Sequence, residues 1–171
     1  MTISMYSASV PVCQSMLRNL GHLLDKGATF SAAKKCDETA LTQFRLAPDM
    51  FTFTRQVLIA CDAAKNGVAR LAGIEAPKFA DDEKTFAELK LRIQKTLDFL
   101  ATVTPSAVDG TEEKEITFPV GPEAKRTMHG QQYLTQWMLP NVYFHITTAY
   151  NILRHNGVDV GKLDYLLGAR D

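Results

Sequence analysis

Apolar residues recur every three to four positions along four long segments of this chain, and that spacing constrains the fold more than any other feature. Such spacing is typical of helices that bury one face. The segments comprise residues 9–26, 50–72, 83–103 and 131–156. Because only short connections separate most of them, the sequence predicts an all-α fold, an antiparallel up-and-down four-helix bundle.

Local signals mark where these helices begin and end. Ser9 can cap the first helix, and Gly27 predicts its end. Gly73 predicts the end of the second helix in the same way. Pro140 falls inside the last segment, where its ring removes a hydrogen bond and costs about 3 kcal/mol in an unbroken helix. We therefore expect a kink there, or a break into two helices of which Pro140 begins the second.

A short stretch between the third and fourth helices has a different pattern. Residues 115–118 alternate polar with apolar side chains, as a half-buried strand does, and residues 125–128 form a plausible second strand. The sequence therefore predicts a small β-hairpin over one end of the bundle. With 171 residues and no repeat or linker, the chain is expected to form a single domain spanning residues 1–171.

Composition excludes several classes of function. The 19 basic and 19 acidic residues balance, so no net field attracts nucleic acid. The three cysteines show no CxxC spacing, which argues against a disulfide framework or a cysteine-built zinc site. No segment approaches the ~20 apolar residues that span a bilayer, and the first twelve residues lack a signal-peptide pattern. We expect a cytoplasmic protein that binds neither membranes nor nucleic acid.

One polar group of residues lies on an otherwise apolar helix face. Trp137, Asn141, His145, Thr148 and Ile152 follow one another at spacings of four, four, three and four, so they share a face of the last helix. The tryptophan and the isoleucine indicate that this face turns inward. A buried polar group without a partner costs roughly 1–3 kcal/mol, so the three polar side chains between them must find partners.

The second helix offers such partners. Beside its apolar face it carries a second line of mostly small residues, which lets a neighbouring helix approach closely. The line consists of Asp49, Phe53, Gln56, Ala60, Ala63 and Gly67. Its two polar members, Asp49 and Gln56, are therefore expected to face the last helix and to complete a polar pocket there.

Two interpretations of this pocket stay open on the residues alone. In the first, the polar groups satisfy one another and set the helix register, with His145 as a hydrogen-bonded core histidine. In the second, they form a ligand or metal site at one end of the bundle. A structural zinc site is not expected, because it needs four ligands and only one histidine is well placed.

Several segments that together extend over nearly the whole sequence carry a family resemblance. They are Ser4-Met5-Tyr6, Ser9-Val10-Pro11-Val12, residues 45–51 (RLAPDMF), Arg55-Gln56-Val57, residues 69–73 (ARLAG), residues 139–145 (LPNVYFH) and residues 153–158 (LRHNGV). In these segments the chain resembles an uncharacterised bacterial family of the DinB/YfiT-like superfamily.

The resemblance implies an antiparallel four-helix bundle, often dimeric, and in many members a metal held by three histidines. Two of those histidines lie four residues apart on the last helix, at positions that match Asn141 and His145 here. The third is expected on the second helix, but no histidine occurs between Lys26 and Met128. The three-histidine site is thus incomplete, and Asp49 or Gln56 would have to replace the missing ligand.

The leading hypothesis is a DinB-like protein with a polar pocket formed by Asp49, Gln56, Asn141, Tyr143 and His145. It would bind a small molecule, or weakly a divalent metal on His145, Asn141 and Asp49. We expect no cofactor, with zinc, nickel or manganese as the alternative. The competing hypothesis is a non-catalytic homodimer whose polar core residues serve packing. The sequence does not decide whether the protein is an enzyme.

Overall fold

The computed structural model describes residues 3–121 and 123–169. The chain is mostly helical with one small antiparallel hairpin. Its elements are α1 (Val10–Lys34), α2 (Thr39–Thr42), α3 (Phe53–Ala72), α4 (Phe86–Ala101), α5 (Pro105–Val108), β1 (Glu115–Val120), β2 (Ala124–His129), α6 (Gly130–Tyr133), a π-helical turn (Leu134–Met138), α7 (Leu139–His155) and α8 (Lys162–Leu167). Within the described residues, no helix has both the length and the apolar character needed to cross a membrane.

The long helices α3 and α4 run parallel to each other. Phe53 and Phe86, the first residues of the two helices, are in ring contact with centroids 5.7 Å apart, and Asp62 pairs with Arg92 farther along. The connection of residues 73–85 therefore returns along the length of α3 before α4 begins. This corrects the predicted up-and-down order, in which each helix runs opposite to the one before it.

The helices α3 and α7 run antiparallel and pack closely. Gln56 lies beside His145, and Gly67 lies beside Met138. A Cβ atom on Gly67 would come within 2.5 Å of Met138 Cγ, so the glycine allows this approach. Ala60 is fully buried on the same helix. The predicted line of small residues thus faces the last helix.

The first helix does not end at Gly27, as the sequence had suggested, but continues to Lys34. Gly27 is buried at a helix crossing, where an added Cβ would lie 2.7 Å from the Phe86 ring and 3.2 Å from Leu153. The helix ends instead at Lys35, whose φ of 54° is left-handed. Gly27 is therefore a packing residue, since a larger side chain would separate the helices.

The predicted disturbance at Pro140 takes the form of a π-helical turn directly before it. The helical backbone runs without a break from Gly130 to His155, and Pro140 lies in the first turn of α7. The wider hydrogen-bond pattern of the π-helix accommodates the missing N–H of proline. No separation into two helices occurs.

The predicted hairpin is present. Glu115 pairs with His129 and Thr117 with Thr127 in an antiparallel register. Phe118, buried on β1, contacts the aromatic rings of Tyr133 and Trp137. The hairpin therefore packs against the start of the last helical segment.

Candidate functional site

Gln56 of α3 and His145 of α7 form a buried hydrogen-bonded pair. His145 Nδ1 lies 2.6 Å from Gln56 Oε1, and the two residues are 7% and 1% exposed. Gln56 Nε2 donates to the Phe51 carbonyl oxygen at 3.3 Å. The backbone before α3 therefore holds the glutamine amide, and the amide holds the imidazole.

This arrangement determines the tautomer of His145. Because the Gln56 NH₂ group donates to Phe51, its oxygen is the atom that faces the imidazole, and an oxygen can only accept. The proton of the neutral ring is therefore on Nδ1. Nε2 carries a lone pair, and it makes no hydrogen bond with any residue of the described ranges. His145 thus offers a hydrogen-bond acceptor at Nε2.

The surroundings keep His145 uncharged. Burial lowers the pKa of its imidazole to about 4, and the positive charge of Arg55 acts in the same direction. At neutral pH the side chain is therefore an imidazole and not an imidazolium. A lone pair on a neutral imidazole accepts hydrogen bonds and can coordinate metals.

This lowered pKa predicts a loss of stability in mild acid. The unfolded chain binds a proton on His145 near pH 6.5, whereas the folded protein does so only near pH 4. Stability from this residue is therefore complete above pH 6.5 and is lost as the pH falls to about 4. We expect the free energy of unfolding to fall by about 2–3 kcal/mol over this window, measured by urea denaturation at several pH values.

Two variants test the assignment of this pH dependence. His145→Phe removes the titrating group and should flatten the curve between pH 6.5 and pH 4, whereas the exposed His129→Gln should leave the slope unchanged. Burial would raise the carboxyl pKa of Asp81, but contacts with Arg55 and Arg92 outweigh this effect and lower it. The contribution of Asp81 to stability is therefore lost only at lower pH. An unchanged slope in His145→Phe would contradict the prediction.

The other residues of the predicted pocket form no hydrogen bond with this pair among the described residues. Asn141 is half-buried and donates to the Trp137 carbonyl oxygen at 2.6 Å. It lines a separate cavity, to which His145 does not contribute. Tyr143 is 36% exposed, and Asp49 is exposed on the connection before α3. The structure therefore brings together Gln56 and His145, but not all five predicted residues.

Two residues with exposed aromatic side chains contact the Gln56–His145 pair, Phe51 through its backbone carbonyl and Phe144 through its ring. Phe51, whose carbonyl group holds the glutamine, is 55% exposed. Phe144 is 58% exposed, and its ring meets the His145 imidazole edge-on with centroids 5.2 Å apart. Large apolar side chains in solvent near a fixed polar group are typical of a binding surface.

The residues present do not fit the three-histidine metal site of the superfamily. Position 141 is an asparagine, and the residue of α3 that meets His145 is Gln56, whose oxygen already accepts from the imidazole. Within residues 3–121 and 123–169, no group of three His, Cys, Asp or Glu side chains is placed to hold a metal ion. A single imidazole is a weak metal ligand by itself.

A buried charged cluster surrounds Arg92, and no pattern in the sequence had predicted it. The side chain of this arginine is 1% exposed, and it lies between α3, α4 and the connection that joins them. It donates to Asp62 at 3.1 Å, to Asp81 at 3.0 Å, to Glu83 at 3.0 Å and to the Ala80 carbonyl oxygen at 2.7 Å. The only sequence signal was the run of acidic residues in that connection.

The Arg92 cluster attaches the connection to both helices. The guanidinium carbon of Arg92 lies 5.0 Å from the centroid of the Phe79 ring, and Lys65 Nζ lies 4.4 Å from it. Burial would lower the pKa of Arg92, but Asp81, Asp62 and Glu83 more than offset this effect and raise it. The guanidinium stays charged. Its two Nη atoms have four acceptors, while the buried Nε has none among the residues that the structure describes, and the cluster as a whole is structural.

Comparison with known proteins places this geometry in a recognised class. A crystal structure of a DinB family member protein from Shewanella denitrificans is similar to the chain, with 44% sequence identity and a TM-score of 0.86. The match covers 96% of this chain and 92% of that one. The fold is therefore that of a DinB-like helical protein.

The family itself follows from a profile match to residues 5–166. The chain belongs to the DUF1993 family, described as a domain of unknown function. A comparison with curated proteins finds no match. The function must therefore be inferred from the site.

Proposed function

We propose that this protein is a DinB-like four-helix bundle that binds a small molecule at His145, with Nε2 of the neutral imidazole as hydrogen-bond acceptor. The observation that carries the proposal is the 2.6 Å contact between His145 Nδ1 and Gln56 Oε1. It fixes the ring orientation and leaves one nitrogen lone pair free. A polar group fixed in this way provides orientation and specificity in a ligand site.

The surroundings indicate the chemical class of the ligand. Phe144 provides an exposed apolar ring in contact with the imidazole, and Phe51, whose carbonyl oxygen accepts from Gln56, also has an exposed ring. An acceptor beside an exposed aromatic side chain favours a ligand that carries an O–H or N–H donor on an apolar ring. The positive charge of Arg55 disfavours a cationic ligand, since it also opposes protonation of His145.

Phenol is a suitable probe, because it combines an aromatic ring with one hydroxyl donor. We expect phenol to shift the His145 side-chain nitrogen resonances in a saturable way, measured by NMR of ¹⁵N-labelled protein. Anisole, which has no donor, should bind more weakly. One hydrogen bond contributes about 0.5–1.5 kcal/mol, so the difference should be up to roughly tenfold in Kd.

Two variants serve as controls for the phenol titration. His145→Phe keeps an aromatic ring but removes Nε2, and it should bind phenol and anisole equally, as followed by the backbone amide resonances. His129→Gln changes an exposed histidine of the hairpin and should bind phenol like the wild type. Equal binding of the two probes by the wild type would overturn the proposal.

A second candidate function is self-association through the same surface. It is favoured by the exposure of Phe51 and Phe144, since a homodimer would cover both rings. Sedimentation of the wild type and of Phe144→Ser distinguishes this candidate. A dimer that Phe144→Ser dissociates, together with a wild type that does not respond to phenol, would favour the non-catalytic dimer over the ligand site.

A further inference from the structure

The cavity that Asn141 lines lies between α3 and the π-helical turn. Its volume is about 160 Å³. One wall is formed by residues on a single face of α3. The other wall is formed by residues of the last helical segment in and around the π-helical turn. Its polar and aromatic lining consists of Asp62, Asn66, Arg70, Tyr133, Trp137 and Asn141.

Arg70 is held in this cavity without a carboxylate partner. Its Nη1 donates to the Tyr133 hydroxyl oxygen at 2.9 Å, and its guanidinium carbon lies 6.0 Å from the centre of the Phe118 ring. Within the described residues it forms no ion pair, whereas Arg92 forms three. Arginine has five N–H donors, so several stay available for an acceptor.

Tyr133 supplies a second donor beside the arginine. It is 1% exposed, and its hydroxyl oxygen accepts from Arg70. Its own proton has no acceptor among the described residues. Burial raises the pKa of Tyr133, although Arg70 opposes this effect, so the phenol keeps its proton at neutral pH. A guanidinium N–H and a phenol O–H thus lie side by side.

The one carboxylate that lines the cavity is paired with cations other than Arg70. Asp62 Oδ1 lies 3.0 Å from Lys65 Nζ and 3.1 Å from Arg92 Nη2, and Arg92 is shared with Asp81 and Glu83 as well. Asp62 makes no ion pair with Arg70. The unpaired charge of Arg70 therefore favours an anion at this place.

The π-helical turn supports a binding role for this place in the fold. Trp137 and Met138 are neighbours in sequence, and both line the cavity. π-Helical turns are rare in proteins and occur frequently at functional sites. The turn brings the tryptophan ring to the wall of a cavity whose other side carries Arg70.

We propose that this cavity binds a small carboxylate, whose oxygens accept from Arg70 and Tyr133 while its apolar part lies against Trp137. Arginine is the side chain best suited to a carboxylate, because its planar N–H donors match the two oxygens. A cavity of this size suits a compact acid. This site is separate from His145 and does not depend on the function proposed above.

Trp137 gives a direct readout, since it is the only tryptophan of the chain. We expect benzoate to change its fluorescence in a saturable way, with a Kd in the millimolar range or below. Benzamide has the same ring but no charge, and it should bind at least tenfold more weakly, because a hydrogen bond to a charged group is stronger than a neutral one. Saturation-transfer NMR of the probes provides a measurement that does not depend on the tryptophan.

Variants of both donors complete the test. Tyr133→Phe removes only the hydroxyl group, and Arg70→Gln removes the charge; each should weaken benzoate binding at least tenfold. The matched control is Arg154→Gln, which changes an exposed arginine of α7 and should bind benzoate like the wild type. Far-UV circular dichroism shows that each variant is folded, and Arg70→Lys replaces Arg70→Gln if that variant is not. Equal binding of benzoate and benzamide, or no saturable change with benzoate, would overturn the proposal.

Discussion

Replacing Arg92 with methionine is expected to lower the free energy of unfolding by about 3–5 kcal/mol. Methionine keeps most of the volume of the side chain but none of its charge. The acidic groups around it, Asp62, Asp81 and Glu83, would then face one another without the cation that joins them. The measurement is urea denaturation of the two proteins at pH 7.

The size of this effect follows from burial. Arg92 is 1% exposed, and its partner Glu83 is 11% exposed, so removing the arginine leaves a largely buried carboxylate without its cation. Asp62 and Asp81 are about a third exposed and contribute less. The connection of residues 73–85 would also lose its attachment to α3 and α4. We therefore expect this segment to become sensitive to proteolysis in the variant.

Lys90→Met is the matched control for Arg92→Met. Lys90 lies on the same helix and pairs with Asp25, but both side chains are about half exposed. Exposed pairs contribute about 0–1 kcal/mol, so the control should change stability by less than 1 kcal/mol. If both variants lost the same small amount, the Arg92 cluster would not be a major source of stability.

Gly130→Ala is expected to destabilise the protein by about 3 kcal/mol, the upper end of the usual range for overpacking. An added Cβ would lie 2.0 Å from the Thr111 carbonyl oxygen and 3.0 Å from its carbon. Both are backbone atoms, so no side-chain rotation relieves the clash. The next residue, Gln131, donates its backbone N–H to the Glu112 carbonyl oxygen at 2.9 Å, and this hydrogen bond would be strained as well.

Gly21→Ala is the matched control, because it makes the same substitution in a helix without the clash. An added Cβ at Gly21 has no atom within 4 Å. Alanine in a helix interior is favoured over glycine by about 0.5–1 kcal/mol, so this variant should be slightly more stable than the wild type. Urea denaturation of the two variants should give changes of opposite sign, and a change of the same sign would contradict the assignment of Gly130.

Glycines illustrate where prediction from sequence succeeded and where it failed. Gly73 ends α3 with a φ of 72°, as predicted, because the end of a helix is decided by residues close in sequence. Gly27 was also predicted as a helix end, but it lies inside α1 against Phe86. Only the helix crossing explains that glycine, and a crossing brings together residues that are far apart in sequence.

The candidate sites also combine features that the sequence predicted with features that only the packing of the helices decides. The spacing of polar residues on the last helix predicted an inward His145, and the small-residue line of the second helix predicted a close neighbour with Gln56 on that side. Neither pattern contained the information that Asn141 lines a different cavity with Arg70. The register between α3 and α7 decides this, and it depends on packing along the whole interface, including the π-helical turn.

What the sequence by itself determined is local: the four long helices, the hairpin and the turning of His145 toward the interior. Those features depend on the periodicity of neighbouring side chains and on propensities within a few residues. Only the tertiary structure decided that α3 and α4 run parallel, that Arg92 is buried, and that Arg70 and Tyr133 meet across one cavity. These features depend on contacts between segments that are distant in sequence. The interactions that stabilise them form only when the helices are packed together.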